Sequence, residues 1–415
     1  MEAQGPLIRV YGYRWVVLAA FAAVNAVIQI HWIVFAPITG EAAAFYGVTP
    51  LQIGFLSMSF MIVYILMSFP ASYLIDTYGI HVGIGIGAAL TGIFGLLKGM
   101  YADRYTLVCV SQFGLAVAQP FILNAITKVG AHWFPLHERA TSAGISVLAQ
   151  YIGIVIAMEA TPYLTKSLGI PGMLMVYGIV SAATAVAFLA LMRNRPPTPP
   201  CAQGLEERTL VLEGLKHLFG QKDMVLLVIL FFIGLGMFNA VTTWIEQILA
   251  PRGITSTQAG TIGGIMMIGG IIGAVLIPPL SDKLRKRRPF LILEMACTVP
   301  GLVGLAWASQ YWLLLASGFV LGFFFMSAGP IGFQYGAEVG YPAPEATSQG
   351  VLVLAGQISG ILFIYGMDRF RDAATGSMTR SMVVLIALTV LSILLCFRLE
   401  ESRLIAPTAR TTPAS

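Results

Sequence analysis

Apolar runs long enough to cross a bilayer follow one another along almost the whole chain, separated by short polar turns, and that pattern leaves few folds open. A span needs ~20 residues to cross ~30 Å of hydrocarbon. Twelve such runs can be drawn, at about residues 13–37, 51–75, 80–100, 105–130, 139–165, 171–192, 225–249, 256–280, 289–308, 312–335, 347–367 and 382–397. Hydrophobic residues make up 57% of the chain and charged ones 10%, against roughly a quarter charged in soluble proteins. A surface of that composition needs lipid, so the expected class is an all-α integral membrane protein.

The one long polar interval, residues 194–222, opens Asn-Arg-Pro-Pro-Thr-Pro-Pro-Cys and divides the runs six and six. The expected organisation is a first six-helix bundle over 1–193, a cytoplasmic linker over 194–222, a second bundle over 223–403 and a disordered tail over 404–415. Residues 206–220 are expected to form a short amphipathic helix with Leu210, Leu212, Leu215 and Leu218 toward lipid. Most of the 24 Lys and Arg residues fall on one side if the amino terminus is cytoplasmic, among them Arg9, Arg14, Arg139, Arg193, Arg195 and the run from Lys283 to Arg288. By the positive-inside rule both termini are then cytoplasmic, in a cell inner or plasma membrane. The basic run reads as a topological anchor, so no nucleic-acid partner is expected. Cys109, Cys201, Cys297 and Cys396 lack metal-type spacing, and the first run lacks a cleavage signal, so it reads as a retained span.

The two halves repeat. Ala140-Thr141-Ser142-Ala143-Gly144 corresponds to Ala346-Thr347-Ser348-Gln349-Gly350, and Asp76 to Asp282, each pair 206 positions apart. Two parallel six-span repeats with a site between them at mid-depth are a common plan of secondary carriers. The chain resembles the major facilitator superfamily over essentially its whole length. That family's Gly-x-x-x-Asp-Arg-x-Gly-Arg-[Lys/Arg] motif keeps Asp76 and Gly79 in its first copy, with Ser72, Thr77 and Ile80 replacing the Gly and both Arg positions. The second copy keeps Asp282, Lys283, Lys286 and Arg287. The resemblance implies two pseudo-symmetric six-helix bundles that rock about a central cavity, with Asp76, Gly79, Asp282, Lys283 and Arg287 in the conformational machinery.

Polar residues within the spans are the site candidates, because their burial is costly unless they face the bundle interior. At ~1.5 Å per residue, Asn239 lies ~21 Å into its span, Gln119 ~21 Å and Gln357 ~15 Å. His31 and Trp32 sit near the centre of the first span. That Trp is too far from either interface for an aromatic belt, and the His is open to reading as a proton acceptor or a satisfied structural residue. Glu159 and Glu246 fall near outer span ends and Glu294 and Glu338 near inner ones. Glu246 could attract cations at the outer mouth. Lys98 and Lys128 fall near helix ends. No carboxylate lies at mid-depth in the first or fourth span, where the resemblance implies that proton-driven carriers of this fold often place one, so uniport is favoured over proton symport, with His31 as the exception.

Asn25-Ala26, His31-Trp32, Phe45-Tyr46-Gly47-Val48, Leu56-Ser57-Met58, Ala118-Gln119-Pro120-Phe121-Ile122-Leu123, Trp133-Phe134, Gly332-Phe333-Gln334, Glu338, Tyr341-Pro342 and the run from Gln357 to Phe363 are similar to the feline leukaemia virus subgroup C receptor family. The resemblance implies a carrier of choline or ethanolamine, with haem export also attributed to the family. Its head-group site implies roles for Trp32, Gln119 and Gln357. A fourth position, Tyr in the family, is Asn239 here. A quaternary ammonium has no N–H to donate, so an aromatic face recognises it, at ~0.5–2 kcal/mol per contact. Neutral amides can accept from a hydroxyl or ammonium without trapping the ligand. The expected function is transport of a small organic cation or amino alcohol by alternating access, by a monomer. A small organic anion carrier, a haem exporter and a polytopic receptor are the alternatives. With no nucleophile beside a base and no metal cluster, neither an enzyme nor a cofactor or metal is expected.

Overall fold

The computed structural model describes residues 10–135, 138–198, 211–341, 343 and 345–401. The expected tail, the centre of the expected linker with Cys201 and Leu210, Arg9 and Pro342 lie outside them. In chain order the elements are α1 (Arg14–Ile33), a 3-10 turn (Ala36–Ile38), α2 (Thr39–Tyr46), α3 (Pro50–Tyr78), α4 (Ile80–Met100), α5 (Tyr105–Leu123), α6 (Ile126–Trp133) and α7 (Arg139–Leu191). There follow α8 (Val211–Gly220), α9 (Lys222–Thr243), α10 (Ile245–Leu249), a 3-10 turn (Ala250–Arg252), α11 (Ser256–Leu284), α12 (Arg288–Trp307), α13 (Tyr311–Gly340), α14 (Glu345–Arg369) and α15 (Thr379–Cys396). No strand occurs among the described residues.

Among the described residues ten stretches are long and apolar enough to cross a membrane, and two of them, Pro50–Met100 and Thr141–Leu191, have 51 residues. At 1.5 Å per residue such a stretch is more than twice as long as the hydrocarbon is thick, so each must be two spans. The backbone breaks where this requires it, at Gly79 (φ +86°) and Gly169 (φ +70°), a conformation that costs a side-chain-bearing residue about 1 kcal/mol or more. Twelve spans among the described residues follow. Helix α3 starts on a capping box, with the Thr49 hydroxyl taking the Gln52 N–H and the Gln52 side chain returning to the Thr49 N–H.

Several spans are interrupted where the hydropathy pattern runs on. The first ends as a helix at Ile33 and continues through the 3-10 turn at Pro37 into α2. The fourth breaks at Asn124, four residues after Pro120, and the seventh breaks at Trp244. Hydropathy averages over such breaks because the bounding residues remain apolar. Leu218 of α8 is fully buried and lies against Gly340 rather than toward lipid.

Two compact units form, residues 1–207 with 241–264, and residues 208–240 with 265–415. The sequence reading assigns 241–264 to the second bundle, whereas here this segment packs with the first unit. The Glu246 carboxylate accepts the Gly40 N–H at 3.1 Å, Thr261 donates to Glu159 at 3.2 Å, and Ser256 donates to Glu41. In the first unit the main packing is of α1 and α4 on α7, and of α5 on α3 and α4; in the second, of α12 on α13 and α15.

Candidate functional site

The end of α1 sets the geometry of the first unit. The last four carbonyls of a helix have no partner within it, and here two of them fall on His31 and Trp32. The Gln112 Nε2 donates to the His31 carbonyl at 2.9 Å and to the Leu56 carbonyl at 3.2 Å. The Ser57 hydroxyl donates to the Trp32 carbonyl at 3.1 Å. Helices α3 and α5 therefore fix the α1 terminus through side chains, and Trp32 is held on it at 8% exposure.

The Gln112 Oε1 in turn accepts from the Lys98 Nζ at 2.6 Å, and that nitrogen lies 5.1 Å from the Phe35 ring centroid. Lys98 is in the last turn of α4, as its position in the sequence indicates, yet its side chain is 0% exposed. Its role as the support of Gln112 is not legible in sequence, because hydropathy cannot say which way an end-of-helix lysine turns.

His31 belongs to this framework too. Its Nε2 lies 2.6 Å from the Ser181 hydroxyl, whose own hydrogen goes to the Tyr177 carbonyl at 2.7 Å. The histidine is therefore the donor in that pair, as the neutral Nε2–H tautomer, and its buried Nδ1 has no partner. Of the two sequence readings, this arrangement fits the structural one.

Trp32, Gln119 and Gln357 differ from these residues in one respect. Gln119 on α5 is 5% exposed and Gln357 on α14 is half-buried, and neither side chain hydrogen-bonds to any described residue. Nor does the Trp32 indole N–H. Some other mid-span polar side chains are tied down, although the Thr242 and Thr243 hydroxyls are also buried without a partner. Asn25 bonds the Phe21 carbonyl at 2.9 Å, and Asn124 bonds Tyr64, Ser68 and Ser72 at 2.8–3.1 Å. Asn239 is intermediate, its Nδ2 reaching the Gly356 carbonyl at 3.4 Å, next to Gln357. Trp32 and Gln119 belong to the first unit, Asn239 and Gln357 to the second.

The repeated motif is realised differently in its two copies. In the first, Asp76 pairs with Lys128 of α6, Ser72 accepts from Asn124 at 3.0 Å, and Gly79 lies against the Asn194 side chain. In the second, Arg287 is buried, pairs with Asp282, and donates to Glu338 at 2.9 Å and to Ser281 at 3.1 Å. The Arg287 N–H meets Glu401 at 2.5 Å. Lys283 is exposed and takes no part. Arg287→Met should destabilise the protein by roughly 2 kcal/mol, because the largely buried Glu338 loses its charged donor; thermal unfolding in detergent measures it. Glu246 is 8% exposed and engaged with Gly40 and Gln247, so it closes a packing contact rather than presenting free charge. Among the described residues no cluster of His, Cys, Asp and Glu could hold a metal ion.

Among the described residues, membrane-length helices that bury polar side chains along their length define a polytopic membrane protein. The chain belongs to the Major Facilitator Superfamily, whose sequence profile matches residues 16–364. It is 29% identical to "Solute carrier family 49 member A3" of Xenopus tropicalis, over 86% of this chain and 77% of that one. It is 30% identical to "Choline/ethanolamine transporter FLVCR1" of Felis catus, over 84% of this chain and 66% of that one. Among solved structures, a bacterial homologue of the human lysosomal transporter Spinster superposes with a TM-score of 0.73 at 16% identity, covering 98% of this chain and 100% of the other. A D-xylose-proton symporter gives 0.73 at 16%, covering 94% and 99%. These two establish the fold alone.

Proposed function

We propose that this transporter moves a small organic cation or amino alcohol of the choline and ethanolamine class by alternating access, as a uniporter. One observation carries the reading: the Trp32 indole N–H and the Gln119 and Gln357 amides have no hydrogen-bond partner among the described residues. A buried amide without a partner is unfavourable by about 1–3 kcal/mol, so the Gln119 amide in the first unit calls for water or a ligand to satisfy it. The Trp32 face suits an ammonium, and the amide oxygens suit a hydroxyl or N–H. The names of the curated relatives support the same class. Asn239, where the resembling family has Tyr, gives up ring area and adds an amide, which favours a substrate with N–H or O–H groups over one recognised by its methyls alone.

Counterflow in proteoliposomes with labelled ethanolamine and choline tests the proposal. Saturable exchange of either supports it, whereas exchange confined to carboxylates, or binding without exchange, rejects it. Trp32→Ala should weaken binding of a quaternary amine about 10-fold or more, and Trp32→Phe by less, since phenyl keeps part of the ring interaction. Equal losses in the two variants would remove cation–π recognition from the account.

A further inference from the structure

We propose that Glu294 is a proton-binding site inside the second unit, filled in the conformation seen here. Glu294 is the seventh residue of α12, ~10 Å along it, and its side chain is 0% exposed. Both carboxyl oxygens lie buried without a hydrogen-bond partner. Helices α13 and α15 pack against α12, and neither brings a cation to it. From α13 the facing group is Ser327, whose hydroxyl gives its hydrogen to the Phe324 carbonyl at 2.8 Å. From α15 it is the buried Cys396 thiol. On α12 itself, the Thr298 hydroxyl donates to the Glu294 backbone carbonyl, not to the carboxyl.

The charged groups at the ends of these helices do not bond the carboxyl. Arg287 is bonded to Asp282, Glu338 and Glu401; the Arg288 Nη2 donates to the Phe397 carbonyl at 2.6 Å, while its Nε is buried without a partner, and Arg398 beyond α15 is exposed. An isolated ionised carboxylate in such surroundings is so unfavourable that the group takes up a proton instead. Glu294 is therefore held as the neutral acid. Any movement of α12 against α13 and α15 that admits water lets it ionise, so proton occupancy and helix packing are linked reciprocally. For a family member that works by changing conformation, acid favours the packing described here, and a pH-dependent transport rate follows whatever the substrate.

The sign is fixed by linkage. Ionising Glu294 in this packing leaves a buried charge without a partner, so stability falls as pH rises. The test is thermal unfolding of the purified chain without substrate, in mildly acidic and mildly alkaline buffer, for wild type and Glu294→Gln. The wild-type protein should lose roughly 3 °C or more relative to the variant across that step, because Gln keeps the volume and cannot ionise. Glu294→Met serves as the second variant should Gln fail to fold. Parallel pH profiles for wild type and either variant would overturn the proposal. The measurement uses no solute, so failure of the choline and ethanolamine reading leaves its outcome intact.

Discussion

Gln112→Leu is expected to lower the stability of the solubilised protein by about 3 kcal/mol, the upper end of the cost of leaving a buried donor without its acceptor. The Lys98 nitrogen, fully buried, has its hydrogen bond to the Gln112 Oε1, and leucine supplies no acceptor in its place. The same change strips the His31 and Leu56 carbonyls of their shared donor. Lys98→Met should cost much less, since it removes the buried amine together with its need for a partner, and the Gln112 amide keeps both carbonyls. The double variant should recover a large part of the Gln112→Leu loss. Chemical or thermal unfolding of the four proteins closes the cycle. Additive losses would show that the amine and the amide do not support each other. Because the network ends on the α1 carbonyl beside Trp32, weaker amine binding should accompany the loss of stability.

The second large effect concerns packing. Gly322→Val should abolish assembly of a monodisperse protein, since a Cβ at Gly322 would lie 1.7 Å from the Met266 carbonyl oxygen of α11 and 2.6 Å from its carbon. Backbone cannot retreat as the tip of a flexible side chain can, so α11 and α13 would have to separate along their contact. In membrane helices small residues let backbones approach this closely, and the dispersion gained over that contact holds the helices together. Gly329→Ala on the same helix is the control. Nothing lies within 4 Å of a Cβ there, and alanine is the better helix former by about 1 kcal/mol. Yield and size-exclusion profile should separate the two variants. A monodisperse Gly322→Val protein would mean that α11 and α13 are not packed as described.

The helical class, the twelve spans and the repeat were legible in the chain itself. Transfer of apolar side chains into lipid is local and additive, so each run declares its own span, and the Asp76 and Asp282 copies mark the two halves. The interruptions at Val34, Asn124 and Trp244 were not legible, because a break flanked by apolar residues leaves the mean hydropathy unchanged. The second motif copy could be read as far as Asp282 and Arg287, but Glu338 and Glu401 enter the pair from helices far away in sequence.

The sequence alone determined that this chain lives in a bilayer, and it singled out Trp32, Gln119, Asn239, Gln357 and His31 as mid-span residues that must justify their polarity. Only the tertiary structure decided which of them are spoken for. His31 is bonded to Ser181 and Lys98 to Gln112, Glu246 closes on Gly40, and Glu294 is sealed in with no partner. The physical reason is that burial depends on one residue's depth along a helix, whereas satisfaction of a buried polar group depends on which neighbouring helix turns a donor or acceptor toward it.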